Sequence, residues 1–281
     1  KGATLDAISS SLPELLVALY SVLLFGAFEV GLGTVTGSAL FNLLIIPGIC
    51  VFVSPVAFSL SKEVVHRDAM FYTIAVLALL SVTLLWSTWG LLIPLLLFGL
   101  YVMYFFSIRQ HTKKHRKQTE KKTFRVQDTR QALLIAIMGI AVIAAATYFL
   151  TKHAILLAQG LGVPAFIVAF VIVAAATSVP DAIISILNAY KGSVDDATSN
   201  VFGSNIFDLL VGLPIPLIIA NIISGPVTIH FAHMELMIGL LVATLITYLL
   251  IRKTREINKA KAIILLSMYG VFLAYAVIIS L

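Results

Sequence analysis

A pair of short polar segments recurs inside an otherwise apolar chain, and this duplication limits the folds open to it. Residues 10–14 read Ser-Ser-Leu-Pro-Glu and residues 177–181 read Thr-Ser-Val-Pro-Asp. Each is followed by a second matched segment, Gly37-Ser38-Ala39-Leu40-Phe41-Asn42 and Gly203-Ser204-Asn205-Ile206-Phe207-Asp208. The step from carboxylate to glycine is 23 residues in one copy and 22 in the other. All four segments sit in strongly apolar surroundings, where carboxylates are costly unless they serve a function. A duplicated pattern that puts hydroxyls, prolines and carboxylates inside a membrane points to a transporter whose ion site lies between two repeats.

Composition fixes the class. Of 281 residues, 60% are hydrophobic and 11% charged, and the mean hydropathy is +1.05. A soluble domain carries about twice that charge fraction. Long apolar runs predict an all-α polytopic membrane protein, with spans at 5–26, 33–60, 69–87, 90–108, 131–151, 163–189, 196–223, 232–251 and 261–281. The single cysteine, Cys50, lies in an apolar run and reads as packing.

The net charge of +6 does not mean nucleic acid. Residues 109–130 hold nine Lys/Arg and residues 252–261 five more. If both segments face the cytoplasm, Lys1, Lys62, Arg67 and Lys191 fall on the same side and only Lys152 falls outside. The positive-inside rule then orients the whole chain. Segment 109–130 reads as a solvated cytoplasmic linker, with a lipid-headgroup patch as the other reading. It divides a first transmembrane half (1–108) from a second (131–281). The trace runs the two motif helices in opposite directions, so the repeats have inverted topology. Five spans follow the linker and four precede it. Two inverted five-helix repeats are therefore expected, with about nine helices present and a first helix upstream of Lys1.

Proline inside a helix removes one backbone hydrogen bond and displaces the carbonyl four residues back. Pro13 acts on the Ser9 carbonyl and Pro180 on that of Ala176. In a membrane such carbonyls persist where they line a cavity or meet a ligand. Ser10 and Ser11 lie four and three residues before Glu14, and Thr177 and Ser178 stand in the same relation to Asp181. These spacings put hydroxyls and carboxylate on one helix face. Ser38 and Asn42, like Ser204 and Asp208, are four apart. Gly37 and Gly203 permit close helix approach. The set is all oxygen and suits hard cations such as Na⁺, K⁺ and Ca²⁺. Glu14, Asp181 and Asp208 carry three negative charges when ionised. Ca²⁺ neutralises two and Ca²⁺ with K⁺ three, unless one carboxylate stays protonated in the apolar interior.

On these residues the chain resembles the calcium/cation antiporter superfamily, and within it the potassium-dependent sodium/calcium exchanger branch. The similar segments are SSLPEL (10–15), GLGTVTGSALFNLL (31–44), HRDAMFYTIAV (66–76), TSVPD (177–181) and GSNIFDLLVGLPIP (203–216). The resemblance implies ten core helices in two inverted halves. It implies Glu14 and Asp181 as the carboxylates that hold Ca²⁺ near the midplane. Ser10, Ser11, Thr177, Ser178, Ser38 and Ser204 are implied oxygen ligands of flanking Na⁺ sites, and Asn42 and Asp208 the central pair. Aspartate at 208 resembles the potassium-dependent branch. Ser9 departs from the family's usual glycine, and the 109–130 linker is short for an animal exchanger, so cytoplasmic regulatory domains are not expected. The expected activity is Na⁺/Ca²⁺ antiport by alternating access, with K⁺ carried alongside Ca²⁺ as an option. A Ca²⁺/H⁺ antiporter is the nearest alternative; a cation channel and an intramembrane hydrolase are further ones. The expected partners are the transported ions and the bilayer. No catalytic residue and no cofactor are expected, and the expected location is the plasma membrane.

Other polar residues read as structural. His230, His233 and Glu235 cluster near an external helix end, where His-x-x-His can ligate transition metals but lacks further ligands. Trp86 and Trp89 read as interfacial anchors. Asp195 and Asp196 fit the charge bias of a helix N-terminus, and Asp6 precedes Glu14 on the cytoplasmic side.

Overall fold

The chain is described by a computed structural model covering residues 2–115, 129–229 and 233–280. Its apolar runs form helices because an isolated backbone in lipid must satisfy its own hydrogen bonds. The first half holds α1 (Gly2–Ser10), α2 (Leu12–Leu23), α3 (Phe28–Val53), α4 (Ala69–Leu85) and α5 (Leu92–His115). The second holds α6 (Thr129–Leu161), α7 (Ala165–Val168), α8 (Ala174–Thr177), α9 (Val179–Tyr190), α10 (Val194–Phe207), α11 (Pro214–Ser224), α12 (Met234–Arg252) and α13 (Lys259–Ile278). At 26 residues, α3 is about 39 Å long and crosses a bilayer with length to spare. By length and composition, seven spans qualify among the described residues, and the pair Ala165–Thr177 and Val179–Tyr190, bent by 43°, makes an eighth. The apolar α2, which follows α1, is a shorter helix of 12 residues.

The outer helices present Leu, Ile, Met and Phe outward; Leu133, Ile135, Met138 and Val142 of α6 are all exposed. Only 6% of the most apolar stretch of α6 is buried, against 72% for α3. Such a surface is stable in lipid and not in water. The protein is an integral membrane protein with α3 and α10 at its centre.

Three turns widen to π geometry: Val64–Asp68 before α4, Ala169–Val173 between α7 and α8, and Asp208–Gly212 between α10 and α11. The last has a visible cause. Pro214 has no N–H to return to the Leu210 carbonyl, and the preceding turn loosens so that Leu213 N–H donates to the Asp208 carbonyl at 2.9 Å. Pro47, inside α3, stands five residues after Asn42, one residue short of the six between Asp208 and Pro214.

Inverted topology follows from the contacts. Ser38 meets Glu14, while Gly31 packs on Ala18 and Ser21, so α2 and α3 are antiparallel. Ser204 meets Asp181 and Asn200 meets Ser185, so α9 and α10 are antiparallel too. Ser38 meets Ser178 and Asn42 meets Asp181, so α3 runs parallel to α8–α9. The two motif helices therefore run in opposite directions. The glycines repeat the relation. A Cβ on Gly37 would strike the Phe170 carbonyl and the Ala174 side chain, and one on Gly203 would lie 3.1 Å from Ala7, the counterpart of Ala174.

One end of the molecule gathers the turns that carry basic residues. Leu60 N–H donates to the Arg255 carbonyl and Ile257 N–H to the Phe58 carbonyl. Ser61 N–H donates to Asp195 at 2.8 Å, and Gly192 packs near Val56. Lys62, Lys191, Lys253 and Arg255 thus share a face. At the opposite face β1 (Thr88–Trp89) pairs antiparallel with β2 (Val227–Thr228).

Three expectations need correction. The 131–151 span runs on to Leu161, because the helix continues through the polar residues Thr151, Lys152 and His153. The 33–60 span begins at Phe28 and ends at Val53, because residues 58–60 pair with 255–257. Trp89 is no interfacial anchor. It is fully buried, its ring packs on Phe28 at 5.9 Å, and its Nε1 donates to the Trp86 carbonyl at 3.1 Å. Trp86 is half exposed.

Candidate functional site

Each motif interrupts its helix once, at matching residues. Ser11 has φ −85°, ψ 5°, and Ser178 has φ −76°, ψ −3°. Pro13 and Pro180 then open α2 and α9, where a missing N–H costs nothing. The break puts Glu14 and Asp181 in the first turn of a new helix, where unpaired N–H groups and the helix dipole favour negative charge. Asp208 lies at the start of its π-turn.

These three carboxylates converge. One oxygen from each of Glu14, Asp181 and Asp208 lies within 4.8 Å of the others, and all three residues are fully buried. The neighbouring hydroxyls and amide join them across the repeats. Ser38 Oγ donates to Glu14 at 3.3 Å and shares a hydrogen bond with Ser178 Oγ at 2.8 Å. Ser204 Oγ donates to Asp181 at 2.7 Å and lies 3.4 Å from Ser10 Oγ. Asn42 Nδ2 donates to Asp181 at 2.8 Å. Thr177 faces Glu14, its Oγ1 donating to the Ala174 carbonyl at 3.2 Å. Ser11 faces Asp208 but makes no hydrogen bond to it. All ten residues singled out from the sequence are buried and meet at one locus.

The repeat symmetry breaks at two pairs: Ser38 bonds to Ser178 whereas Ser204 lies near Ser10 rather than Ser11, and the Asn42–Asp181 pair is not repeated. Ser38 to Glu14 mirrors Ser204 to Asp181. Asn42 to Asp181 has no such mirror, because Asp208 presents a carboxylate where Asn42 presents an amide. Among the described residues Glu14 Oε2 and both Asp208 oxygens consequently have no hydrogen-bond partner, nor has Asn42 Oδ1. Buried acceptors with lone pairs and no donor are rare and costly. Here four converge from three helices. Such a donor set can ligate a hard cation: it is all oxygen, it is anionic, and it lies out of bulk water.

Two buried amides were not signalled by the duplication. Asn205 Nδ2 donates to the Ala39 carbonyl at 3.0 Å, and Asn200 Nδ2 to Ser185 Oγ at 3.1 Å; the Oδ1 of each is unpartnered. Position 39, the counterpart of 205, is alanine, so no repeated signal marks it. No other group of three or more His, Cys, Asp or Glu side chains converges among the described residues. His233 pairs with Glu235 at 3.1 Å and stacks on Phe166, while His230 lies outside the described residues.

The family model for the sodium/calcium exchanger protein matches residues 1–108 and 131–278. The chain belongs to that family. Among relatives, this member is 32% identical over 159 residues to sodium/potassium/calcium exchanger 1 of Gallus gallus, covering 54% of this chain and 24% of that protein. It is 37% identical over 147 residues to sodium/potassium/calcium exchanger 2 of Mus musculus, covering 50% of this chain and 22% of that one. It thus spans about a quarter of the length of these animal exchangers. The putative antiporter CaxA of Alkalimonas amylolytica is 26% identical over 275 residues, 94% of this chain and 83% of that protein. Among solved structures, the sodium-calcium exchanger NCX_Mj superposes with a TM-score of 0.70 at 23% identity, over 97% of this chain and 85% of that one. At that identity the likeness speaks for the fold: this family member shares the architecture of that exchanger.

Proposed function

We propose that this chain forms the transmembrane machinery of a secondary antiporter that exchanges Na⁺ for Ca²⁺ by alternating access, with K⁺ travelling alongside Ca²⁺. The observation that carries the reading is the convergence of Glu14, Asp181 and Asp208 within 4.8 Å, with four of their cluster's acceptor atoms unpartnered. Glu14 and Asp181 hold Ca²⁺ between the two helix breaks. Ser10, Ser11, Ser38, Thr177, Ser178 and Ser204 supply hydroxyl ligands to Na⁺ on either side, and Asn42 and Asp208 close the centre. The cations compete for overlapping oxygens, and the carboxylates cross the apolar region only when neutralised.

K⁺ enters through the break in symmetry. Asn42 satisfies Asp181 with an N–H, whereas Glu14 and Asp208 face each other with no donor between them. Ca²⁺ balances two of the three charges, and a monovalent cation near Asp208 balances the third. A proton held between Glu14 and Asp208 would balance it equally and leave Na⁺/Ca²⁺ exchange without K⁺; in the Ca²⁺/H⁺ variant protons carried on Glu14 or Asp181 replace Na⁺ as the counter-ion. Residues 1–108 and 131–281 act as the two halves. The basic face bearing Lys62, Lys191, Lys253 and Arg255 is cytoplasmic by the positive-inside rule, in a plasma membrane; the rule also assigns segment 109–130 to the cytoplasm, and its residues 116–128 lie outside the described residues.

Calcium uptake into proteoliposomes loaded with sodium tests the function. Uptake that requires both the outward sodium gradient and potassium is the expected result. Sodium-driven uptake indifferent to potassium removes the K⁺ role, and uptake driven only by a proton gradient replaces sodium with H⁺. No coupled uptake overturns the antiport reading.

A further inference from the structure

Outside the oxygen cage, one further carboxylate is fully buried among the described residues. Asp68, 1% exposed, closes the π-turn Val64–Asp68. Arg67 Nε and an Nη donate to its two oxygens at 2.7 and 3.0 Å. Tyr104 Oη of α5 donates to Oδ1 at 3.1 Å, and Ser199 Oγ of α10 donates to Oδ2 at 3.3 Å. With four donors already in place, Asp68 has no spare oxygen for a transported cation. Its charge is balanced by Arg67, and its two remaining partners come from two different helices.

Buried ion pairs add little to stability compared with apolar packing, and their best-attested use is to specify one geometry. Here the geometry concerns α10, which carries Ser204 and leads into Asp208. Ser199 lies on α10 about 7.5 Å of helix rise before Ser204. On the other side of the helix Asn200 is tied to Ser185 of α9, and at its start Asp195 accepts from Ser61. Asp68 supplies the pin toward α4 and α5.

We propose that Asp68 is a positioning residue. Through Ser199 it holds α10, and through Tyr104 the same carboxylate is anchored to α5, so that Ser204 and Asp208 meet Asp181 and Glu14. Arg67 pairs with both oxygens of Asp68 and orients it without reaching the cage. The consequence for ion affinity rests on the antiport reading; the restraint on α10 does not.

Asp68→Asn leaves Arg67 facing a neutral partner and risks misfolding, so the test uses the milder pair Ser199→Ala with Tyr104→Phe. Two quantities are measured on the purified full chain in detergent: amide hydrogen exchange along 200–208, and calcium affinity by competition with sodium. The double variant is expected to remain monodisperse, with exchange along 200–208 about 10-fold faster while α12 and α13 stay unchanged. Its calcium Kd is expected to rise about 10-fold, equivalent to ~1.4 kcal/mol. Ser199→Thr, which keeps the hydroxyl, should restore both. Unchanged exchange along 200–208 overturns the positioning role, and so does exchange accelerated equally everywhere, which would mark a merely structural contact. If the unaltered protein binds no calcium, the antiport reading fails, and the exchange comparison still decides whether Asp68 restrains α10.

Discussion

At the scale of single residues, the site depends on which oxygens have donors. Asp181 accepts from Ser204 and Asn42, whereas Asp208 accepts from nothing. Asp208→Asn removes one charge and gives Glu14 the amide donor that Asn42 already gives Asp181. Sodium-driven calcium uptake is expected to persist in this variant while its stimulation by potassium disappears; flux measured with and without potassium checks it. Asp181→Asn should cost far more. It removes a charge from the pair assigned to calcium, and calcium affinity should fall roughly 100-fold, or about 3 kcal/mol, in a binding isotherm. The duplication made these residues legible: two hydroxyls, a proline and a carboxylate repeated in register are hard to explain by packing alone. Asn205 and Asn200 escaped because neither has an amide counterpart in the other half. The Asp68 cluster escaped because its members come from three distant segments, and sequence spacing relates only neighbours on one element.

At the scale of elements, close packing of α3 against α7 and α8 brings the two motifs together. Gly37 is where the backbones touch, and any side chain there meets the Phe170 carbonyl. Gly37→Ala should destabilise the fold by about 1–3 kcal/mol, read as an earlier thermal unfolding transition in detergent. Gly139→Ala, on α6 with nothing within 4 Å of the new methyl group, should leave the transition unchanged or raise it slightly. Helix existence was legible from apolar length. Helix ends were less so, because an apolar run does not say what it packs on. Residues 58–60 continue the hydropathy of α3 yet pair with 255–257, and Trp89 sits at a span boundary yet fills a pocket beside Phe28. The π-turn at Asp208 was not legible either, although Pro214, which causes it, stands in plain sight.

At the scale of the whole molecule, inverted halves give each motif helix a partner from the other repeat, and charge asymmetry gives the molecule a sidedness. The turns at 54–62, 191–195 and 253–258 meet on one face, and the short β1–β2 pair lies on the other. In a Cys50→Ala background, cysteines introduced at Ser59 and Glu256 should react from the same side of a sealed vesicle and crosslink to each other. A cysteine at Thr228 should react only from the opposite side; labelling of all three from one side would contradict the arrangement. That the basic turns share one face was legible because basic residues cluster by loop. The contacts that join those loops were not.

The central claim is that the three carboxylates form the cation site with calcium between Glu14 and Asp181, and a structure determined with calcium, and with strontium for anomalous signal, tests it most directly. The account predicts an ion peak between Glu14 and Asp181, within about 2.3–2.6 Å of their oxygens for calcium, with no ion at Asp68. A peak confined to the basic face or the β1–β2 face, with Glu14, Asp181 and Asp208 left without an ion, would contradict it.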